Sequence, residues 1–421
     1  MPVEKINTLV VGAGQAGVAM SEHLSNNGTS HIVLERDRIA ARWRTARWDS
    51  LVANGPAWHD RFPGLEFTEC GPEGFPGKEE VADYFVDYAK QINAPIRCGV
   101  EVLNAQRREN SSGFRVETSN GVIEAQNIVA ATGPFQKPVF PQIIPANTDV
   151  MQMHSNTYRN PDQMPEGGVL VVGAGSSGAQ IAEELMNSGR KVFLSVGPHD
   201  RPPRAYRNRD FVWWLGVLGK WDMQTPPLGA EHVTIAVSGA NGGTTVDFRR
   251  FADAGMQLVG RTEQFSDCVL HFASDLVDNV ANGDANYLSV LDEADEYIAL
   301  NGLDLPLEPD ARKQWPQPAC LSDPIRQIDL KAEGVTSVIW ATGFVQEYDW
   351  LDADVFDANG KPVHKRGVSD QQGVYFLGLP WQSRRGSSFI WGVWHDAKFV
   401  ADHISTQQTY LDYAPALDTK V

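Results

Sequence analysis

The sequence predicts an α/β protein with two Rossmann-like dinucleotide-binding domains, the second inserted into the first. Three observations carry this: an internal repeat, a glycine fingerprint in each copy, and an Ala-Thr-Gly ending that closes each unit. Residues 9–28 read LVVGAGQAGVAMSEHLSNNG and residues 170–189 read LVVGAGSSGAQIAEELMNSG, identical at eleven of twenty positions without a gap. Each copy is an apolar run, Gly-x-Gly-x-x-Gly, a helix-like stretch closed by glycine, and a second apolar run. That is the strand–turn–helix–strand context in which the fingerprint binds a dinucleotide.

The glycines have distinct physical tasks. Gly12 and Gly173 allow the tight turn out of the strand, Gly14 and Gly175 leave room for a pyrophosphate, and Gly17 and Gly178 let helix and strand pack closely. The helix starts, Gln15-Ala16 and Ser176-Ser177, offer free N–H groups and a positive dipole end to phosphate. The copies differ where the second strand ends. In the first, Glu35 follows Gly17 by 18 residues, where a carboxylate accepts hydrogen bonds from a ribose with a free 2′-OH. In the second, Ser195-Val196 offers no carboxylate, and arginines follow at 201, 204, 207 and 209. The first site therefore reads as FAD or NAD and the second as NADP, with Arg201 and Arg204 leading as 2′-phosphate ligands. A solvated basic loop is the other reading of those arginines.

The remaining elements follow in order. A Trp-, Pro- and Gly-rich stretch over 43–78 precedes an amphipathic helix, Glu79 to Ile92, with Val81, Tyr84, Phe85, Tyr88 and Ile92 on one face. Phe114–Thr118 alternates up to Asn120-Gly121, a hairpin signal, and the returning strand ends in Ala131-Thr132-Gly133. A Pro-rich linker, Pro134 to Pro145, leads to the second unit. That unit continues through a strand-like stretch near Val233 and a helix-rich segment at about 247–300 to Ala341-Thr342-Gly343. The tail gives a strand over 373–378, a loop with Ser387 and Ser388, and a helix from about Gly392 to Ser405. The expected division is 1–160 with 341–421 as the FAD domain, and 161–340 as the NADP domain.

Composition bounds the function. Of 421 residues, 42% are apolar and 21% charged, the balance of a globular protein. A net charge of −17 argues against nucleic acid and an anionic membrane surface as partners. No uncharged apolar run reaches the roughly 18 residues of a membrane span. No export signal is read at the N-terminus, so the cytoplasm is the default expectation. Cys70, Cys98, Cys268 and Cys320 are scattered, the nearest pair 28 residues apart, which gives neither a redox Cys-x-x-Cys nor a zinc knuckle, and no metal is expected. Asn110-Ser-Ser is formally a glycosylation sequon and reads as an ordinary loop.

With these motifs the chain resembles the flavin-containing monooxygenase group, the class B two-dinucleotide flavoproteins that include Baeyer–Villiger monooxygenases and N-hydroxylases, in the two-domain architecture of disulfide reductases. The resemblance covers nearly the whole chain. Glu35-Arg36 through Trp43-Arg44 resembles the family's segment ending Gly-Gly-x-Trp, with Ala40-Ala41 in place of the glycines. Trp48-Asp-Ser-Leu followed by Asn54-Gly-Pro resembles the segment that places an asparagine beside the reactive edge of the flavin, and Phe75-Pro-Gly-Lys also fits. His154 and Tyr158-Arg159 match the linker signature, while Thr148 and Val150 stand where Phe and Gly are expected. Tyr158 and Asn54 resemble the heteroatom-oxidising branch more than the Baeyer–Villiger branch.

The resemblance implies that NADPH reduces the flavin, which adds O2 as a C4a-(hydro)peroxide and passes one oxygen to a small organic substrate. FAD would be held by Gly12, Gly14, Gln15, Ala16, Gly17, Glu35, Arg36, Trp43, Val102, Thr132, Gly133 and Ser388. NADPH would be held by Gly173, Gly175, Ser176, Ser177, Gly178, Arg201 and Arg204. Asn54 is the candidate for a chemical role, its other reading being a turn asparagine before Gly-Pro. Trp43 reads either as a cover on the flavin or as a core residue, and His154 as a linker hydrogen bonder. No acid–base dyad is expected, and His395-Asp396 is expected at a helix N-terminus. Clusters at Trp58-His59, Trp213-Trp214 and Trp391/Trp394 suggest an apolar or aromatic substrate, or a core. The competing class is a non-oxygenating FAD/NAD(P)H reductase. Against a disulfide reductase stand the missing cysteine pair and Leu379, where many reductases carry Asp after Gly378. A regulator binding both nucleotides has no positive support. Substrate identity, ketone or ring chemistry against heteroatom oxidation, and a homodimer are left open.

Overall fold

The computed structural model describes residues 3–109, 111–224, 226 and 234–413. Asn110 of the sequon and the strand expected near Val233 lie outside the described residues.

The chain opens as expected from its apolar periodicity: β1 (Glu4–Val11), α1 (Gln15–Asn26) and β2 (His31–Glu35) start a sheet in which β1 and β2 are parallel. The amphipathic helix α2 (Lys78–Gln91) buries Val81, Tyr84, Phe85 and Tyr88, with Glu79 and Glu80 in its first turn and Lys90 in its last, each favourable to the helix dipole. Strands β3 (Ile96–Cys98), β4 (Val102–Arg107), β5 (Phe114–Thr118) and β6 (Gly121–Ala130) complete the sheet. β6 lies parallel to β1 from Glu4↔Ile123 to Val11↔Ala130. It pairs antiparallel with β5 through the Asn120-Gly121 turn.

The second sheet begins with β7 (Met151–His154), then β8 (Gly168–Val172), α3 (Ser176–Asn187) and β9 (Val192–Ser195). β10 (Gln257–Val259), α4 (Leu276–Asn301) and β11 (Val335–Trp340) follow. Its order is β10-β9-β8-β11-β7, all parallel. Residues of β8 and β9 are buried on both faces, as continuous Val/Leu/Phe runs require. The chain then returns to the first sheet through β12 (Val374–Phe376), which lies parallel to β6 at Ile128–Ala130, and ends in α5 (Ile390–Asp412).

Three expectations are corrected. β7 falls inside the stretch assigned to the FAD domain, yet it pairs with β11 in the second sheet. The helix-rich segment 247–300 holds a helix at Phe248–Asp253 and α4, with β10 and an antiparallel hairpin, Thr262–Ser266 with Val269–Phe272, between them. The hairpin turns on Asp267-Cys268, both at positive φ (50° and 65°), a turn without the glycine that would have marked it. α5 runs from Ile390 to Asp412, longer at both ends than Gly392–Ser405. His395-Asp396 is therefore inside the helix rather than at its N-terminus, and Asp396 is buried.

Candidate active site

The two fingerprints build nearly superposable turns. Gly12 (φ +103°) and Gly173 (φ +117°) donate to carbonyls at the ends of the neighbouring strands, Leu34 and Ser195. A Cβ on Gly12 would stand 2.7 Å from the Ala131 carbonyl oxygen, and one on Gly173 2.5 Å from that of Ala341. The first glycine of each fingerprint is thus pressed against the Ala-Thr-Gly ending of its own unit, which explains why the two motifs occur together. Gly17 and Gly178 lie against the carbonyls of Gly12 and Gly173, 1.8 and 1.9 Å from where a Cβ would be.

Above the first turn the space suits a dinucleotide. Gly14 has nothing within 4 Å of a built Cβ. In α1 the first N–H with an acceptor is that of Val18, on Gly14, and the N–H groups of Gln15, Ala16 and Gly17 have none among the described residues. Glu35 Oε2 accepts from Ala13 N at 2.8 Å and Oε1 from Asp37 N at 3.0 Å, so the carboxylate is fixed with lone pairs to spare for a ribose diol. Arg36 is exposed beside it. Val102 opens β4, just after Val100, whose N–H is on the Glu35 carbonyl. Trp43 is half-buried; its start of turn, Ala40, sits at φ +56°, the left-handed conformation that suits the glycine found there in the family. Arg47 was not anticipated. Its guanidinium lies 5.8 Å from the Trp43 ring and 4.8 Å from Phe135, with no carboxylate partner among the described residues. Burial and the neighbouring Arg42 push it down to about 10. An uncompensated guanidinium beside the fingerprint is what an anionic cofactor would neutralise, so these residues fit FAD.

The C-terminal segment closes on the same place. Gln15 Nε2 donates to the Ser388 carbonyl at 2.9 Å, and a Cβ on Gly378 would meet Ala16 Cβ at 3.1 Å. Thr132 and Gly133 are tied by Gln136 at 2.9 and 2.8 Å. His154 Nε2 lies 3.0 Å from the Gly343 carbonyl, joining the linker to the second Ala-Thr-Gly, and burial holds its pKa below the usual histidine value.

The second cradle is partly covered. Ser176 N donates to the Ile235 carbonyl at 2.9 Å, while the N–H groups of Ser177 and Gly178 have no acceptor among the described residues. A Cβ on Gly175 would stand 3.1 Å from Thr234. A diphosphate fits at Ser177–Gly178, with Thr234–Ile235 at its edge. The arginines chosen from the sequence do not present themselves to it. Arg201 and Arg204 are each 3% exposed. Arg201 holds Asp284 at 2.8 Å and Asp247 at 3.2 Å, and Arg204 holds Asp210 and the Asn54 carbonyl. Both guanidinium groups are themselves buried and spent on carboxylates, which corrects their expected role as phosphate ligands. Arg207 pairs with Asp295 and Arg209 covers Trp213. The cation beside the end of β9 is Arg261, whose side chain lies 3.4 Å from a built Cβ on Gly197; its Nε donates to Asp275 at 2.5 Å, but unlike Arg201 and Arg204 the side chain is 59% exposed. It reaches there from the loop after β10, far away in sequence, so no local pattern announced it.

Asn54 sits between the units. Its Oδ1 accepts from Gln180 Nε2 of α3 at 3.0 Å, and its carbonyl from Arg204 at 2.6 Å, which leaves its two amide N–H bonds without a partner among the described residues. Of the aromatic clusters, Trp58-His59 and Trp391 come together with Trp221, whereas Trp214 is core against α4 and Trp394 bonds Glu22. The four cysteines are free. Among the described residues no cluster could hold a metal ion, and no helix is long and apolar enough to cross a membrane.

A family model described as pyridine nucleotide-disulphide oxidoreductase matches residues 9–209. The chain is 36% identical over 403 residues to an uncharacterized oxidoreductase, CzcO-like, of Geobacillus kaustophilus, covering 95% of this chain and 98% of the other. A flavin-containing monooxygenase from Stenotrophomonas maltophilia has the same fold, with TM-score 0.66 and 18% identity over 96% of this chain and 100% of that one. OTEMO, solved in complex with FAD and NADP, matches with TM-score 0.56 and 15% identity over 97% and 86% of the two chains.

Proposed function

Because the chain belongs to the CzcO-like oxidoreductases and shares the fold of a flavin-containing monooxygenase, we propose that it is an FAD- and NADPH-dependent monooxygenase acting on a heteroatom of a small organic substrate. FAD, when bound, takes a hydride from NADPH and passes one atom of O2 to the substrate. The protein's share is binding, orientation and exclusion of water. Gln15, Ala16 and Gly17 donate to the FAD pyrophosphate, Glu35 accepts from its ribose, and Arg47 neutralises its charge. Ser177 and Gly178 donate to the NADPH diphosphate, and Arg261 takes the 2′-phosphate.

The observation that carries the reading is Asn54. Gln180 from the second fingerprint helix fixes the amide so that Nδ2 alone is free to donate. A fixed donor where the two nucleotide units meet can hold an oxygen that would otherwise leave as peroxide. Purified protein should carry one non-covalent FAD per chain and be reduced faster by NADPH than by NADH. A colourless protein reconstituted only by FMN, or one that prefers NADH, contradicts the proposal.

A further inference from the structure

No acid–base pair is evident in the sequence, yet the fold assembles one inside an aromatic box. His59 Nδ1 lies 2.8 Å from Asp60 Oδ1, and Asp60 Oδ2 accepts the Gly55 N–H at 3.1 Å. His59 is 7% exposed and Asp60 8%. A Cβ on Gly55 would stand 2.4 Å from Asp60 Oδ2, so this glycine lets the carboxylate close against the backbone beside Asn54. With Asp60 accepting at Nδ1, the neutral imidazole carries its hydrogen there and Nε2 is a bare acceptor. Nε2 has no partner among the described residues.

Three tryptophans from distant parts of the chain surround that ring. Trp221 and Trp391 stack on it at 5.2 and 5.4 Å, and Trp58 meets it edge-on at 5.4 Å. Trp58 and Trp391 are half-buried, and Phe389, edge-on to Trp221 at 5.3 Å, is 40% exposed, so the box has an aromatic rim open to solvent. At its edge Arg384 pairs with Asp222 and lies over the Trp391 ring at 5.1 Å, Lys220 pairs with Glu293, and Arg61 with Glu66. Asp60 is the carboxylate inside.

We infer that His59, oriented by Asp60, is the proton acceptor of the substrate site, and that the site takes an aromatic ligand bearing a charged N–H donor. The ring packs on the tryptophans, whose faces also attract the cation, and the N–H meets Nε2. In the transfer the ammonium N–H bond breaks, the proton goes to Nε2, and the electron pair stays on nitrogen. The imidazolium is held by Asp60. Oxidation at nitrogen needs that pair free. The inference rests on the monooxygenase reading for the oxygen it would receive, but binding and proton acceptance do not depend on turnover.

The test is a tryptophan-fluorescence titration of the FAD-loaded protein with benzylamine and with benzyltrimethylammonium, which carries the same ring and charge without an N–H. Benzylamine should bind at least about tenfold more tightly. His59→Phe, which keeps a ring in the box, and Asp60→Asn should each remove most of that preference. Equal affinity of the parent protein for the two ligands, no benzylamine binding, or an unchanged preference in His59→Phe would overturn the assignment. Where a variant does not fold, the comparison of ligands on the parent protein still decides. Amine selectivity without oxygen transfer would count against the proposed function alone, and oxygen transfer without amine selectivity against the dyad alone.

Discussion

Arg47 and Asp396 are opposite cases of one situation, a charge moved out of water without a full set of partners. Arg47 lacks a carboxylate and is pushed down to about 10 by burial and by Arg42. Arg47→Met should weaken FAD retention by about tenfold, the worth of one charge-assisted contact, while leaving the apoprotein at least as stable. FAD release and apoprotein Tm measure the two, and unchanged FAD affinity would take Arg47 out of the site. Asp396 accepts from Ser383 Oγ at 2.5 Å, but its Oδ2 has no partner among the described residues, and burial pushes its pKa above the ordinary carboxyl value. The folded state thus holds this proton more tightly than the unfolded chain. The stability it gives is fully present below about pH 3.9 and is lost as pH rises through the folded value. Asp396→Asn should therefore raise Tm by about 2 °C or more at neutral pH and change it little in acid; a lower Tm at neutral pH contradicts this. The arginines show where residue-level reading of a sequence runs out. Arg201 and Arg204 stand at the right distance from the fingerprint, but the carboxylates of Arg201, Asp284 and Asp247, arrive from elsewhere in the fold, and Arg204 is taken by Asp210 across the short turn that follows it. Arg201→Ala should cost about 1–3 kcal/mol of stability, because the buried Asp284 loses one charge-assisted partner while keeping Arg249 at 2.7 Å. Arg261→Ala should instead raise KM for NADPH and leave that for NADH unchanged.

At the scale of elements, the fingerprint turns were legible because their physics is local. A strand that must turn within one residue onto a helix requires glycine at fixed positions, and the chain states that requirement twice. The three glycines of a turn nevertheless differ in what a methyl group would do. Gly17→Ala drives a Cβ to 1.8 Å from the Gly12 carbonyl and should disrupt the first unit, lowering apoprotein Tm. Gly14→Ala meets nothing within 4 Å, so the apoprotein should keep its Tm while FAD content falls. Equal losses of Tm in the two variants would contradict this division of labour. The hairpin at 262–272 and the strand Met151–His154 escaped because their signals are not local. The first turns without glycine, and the second is a sheet edge whose alternation is only four residues long.

For the whole molecule, the insertion is what brings chemistry together. The outgoing and returning linkers pair with each other, Lys137–Pro138 against Phe344–Val345, so the two sheets are joined by a short ladder. Asn54 from the first unit meets Gln180 from the second, and Trp58, Trp221 and Trp391 meet around His59. The repeat foretold two nucleotide sites, but no spacing in one dimension could foretell which side chains face each other across the seam. The most direct test of the account is rapid mixing of the reduced, NADP-bound protein with oxygen, followed in the near ultraviolet. The account predicts a transient band before oxidised flavin returns, shortened in Asn54→Ala with more NADPH diverted to free hydrogen peroxide. Direct return to oxidised flavin in the parent protein, with no transient, would contradict it and identify a reductase.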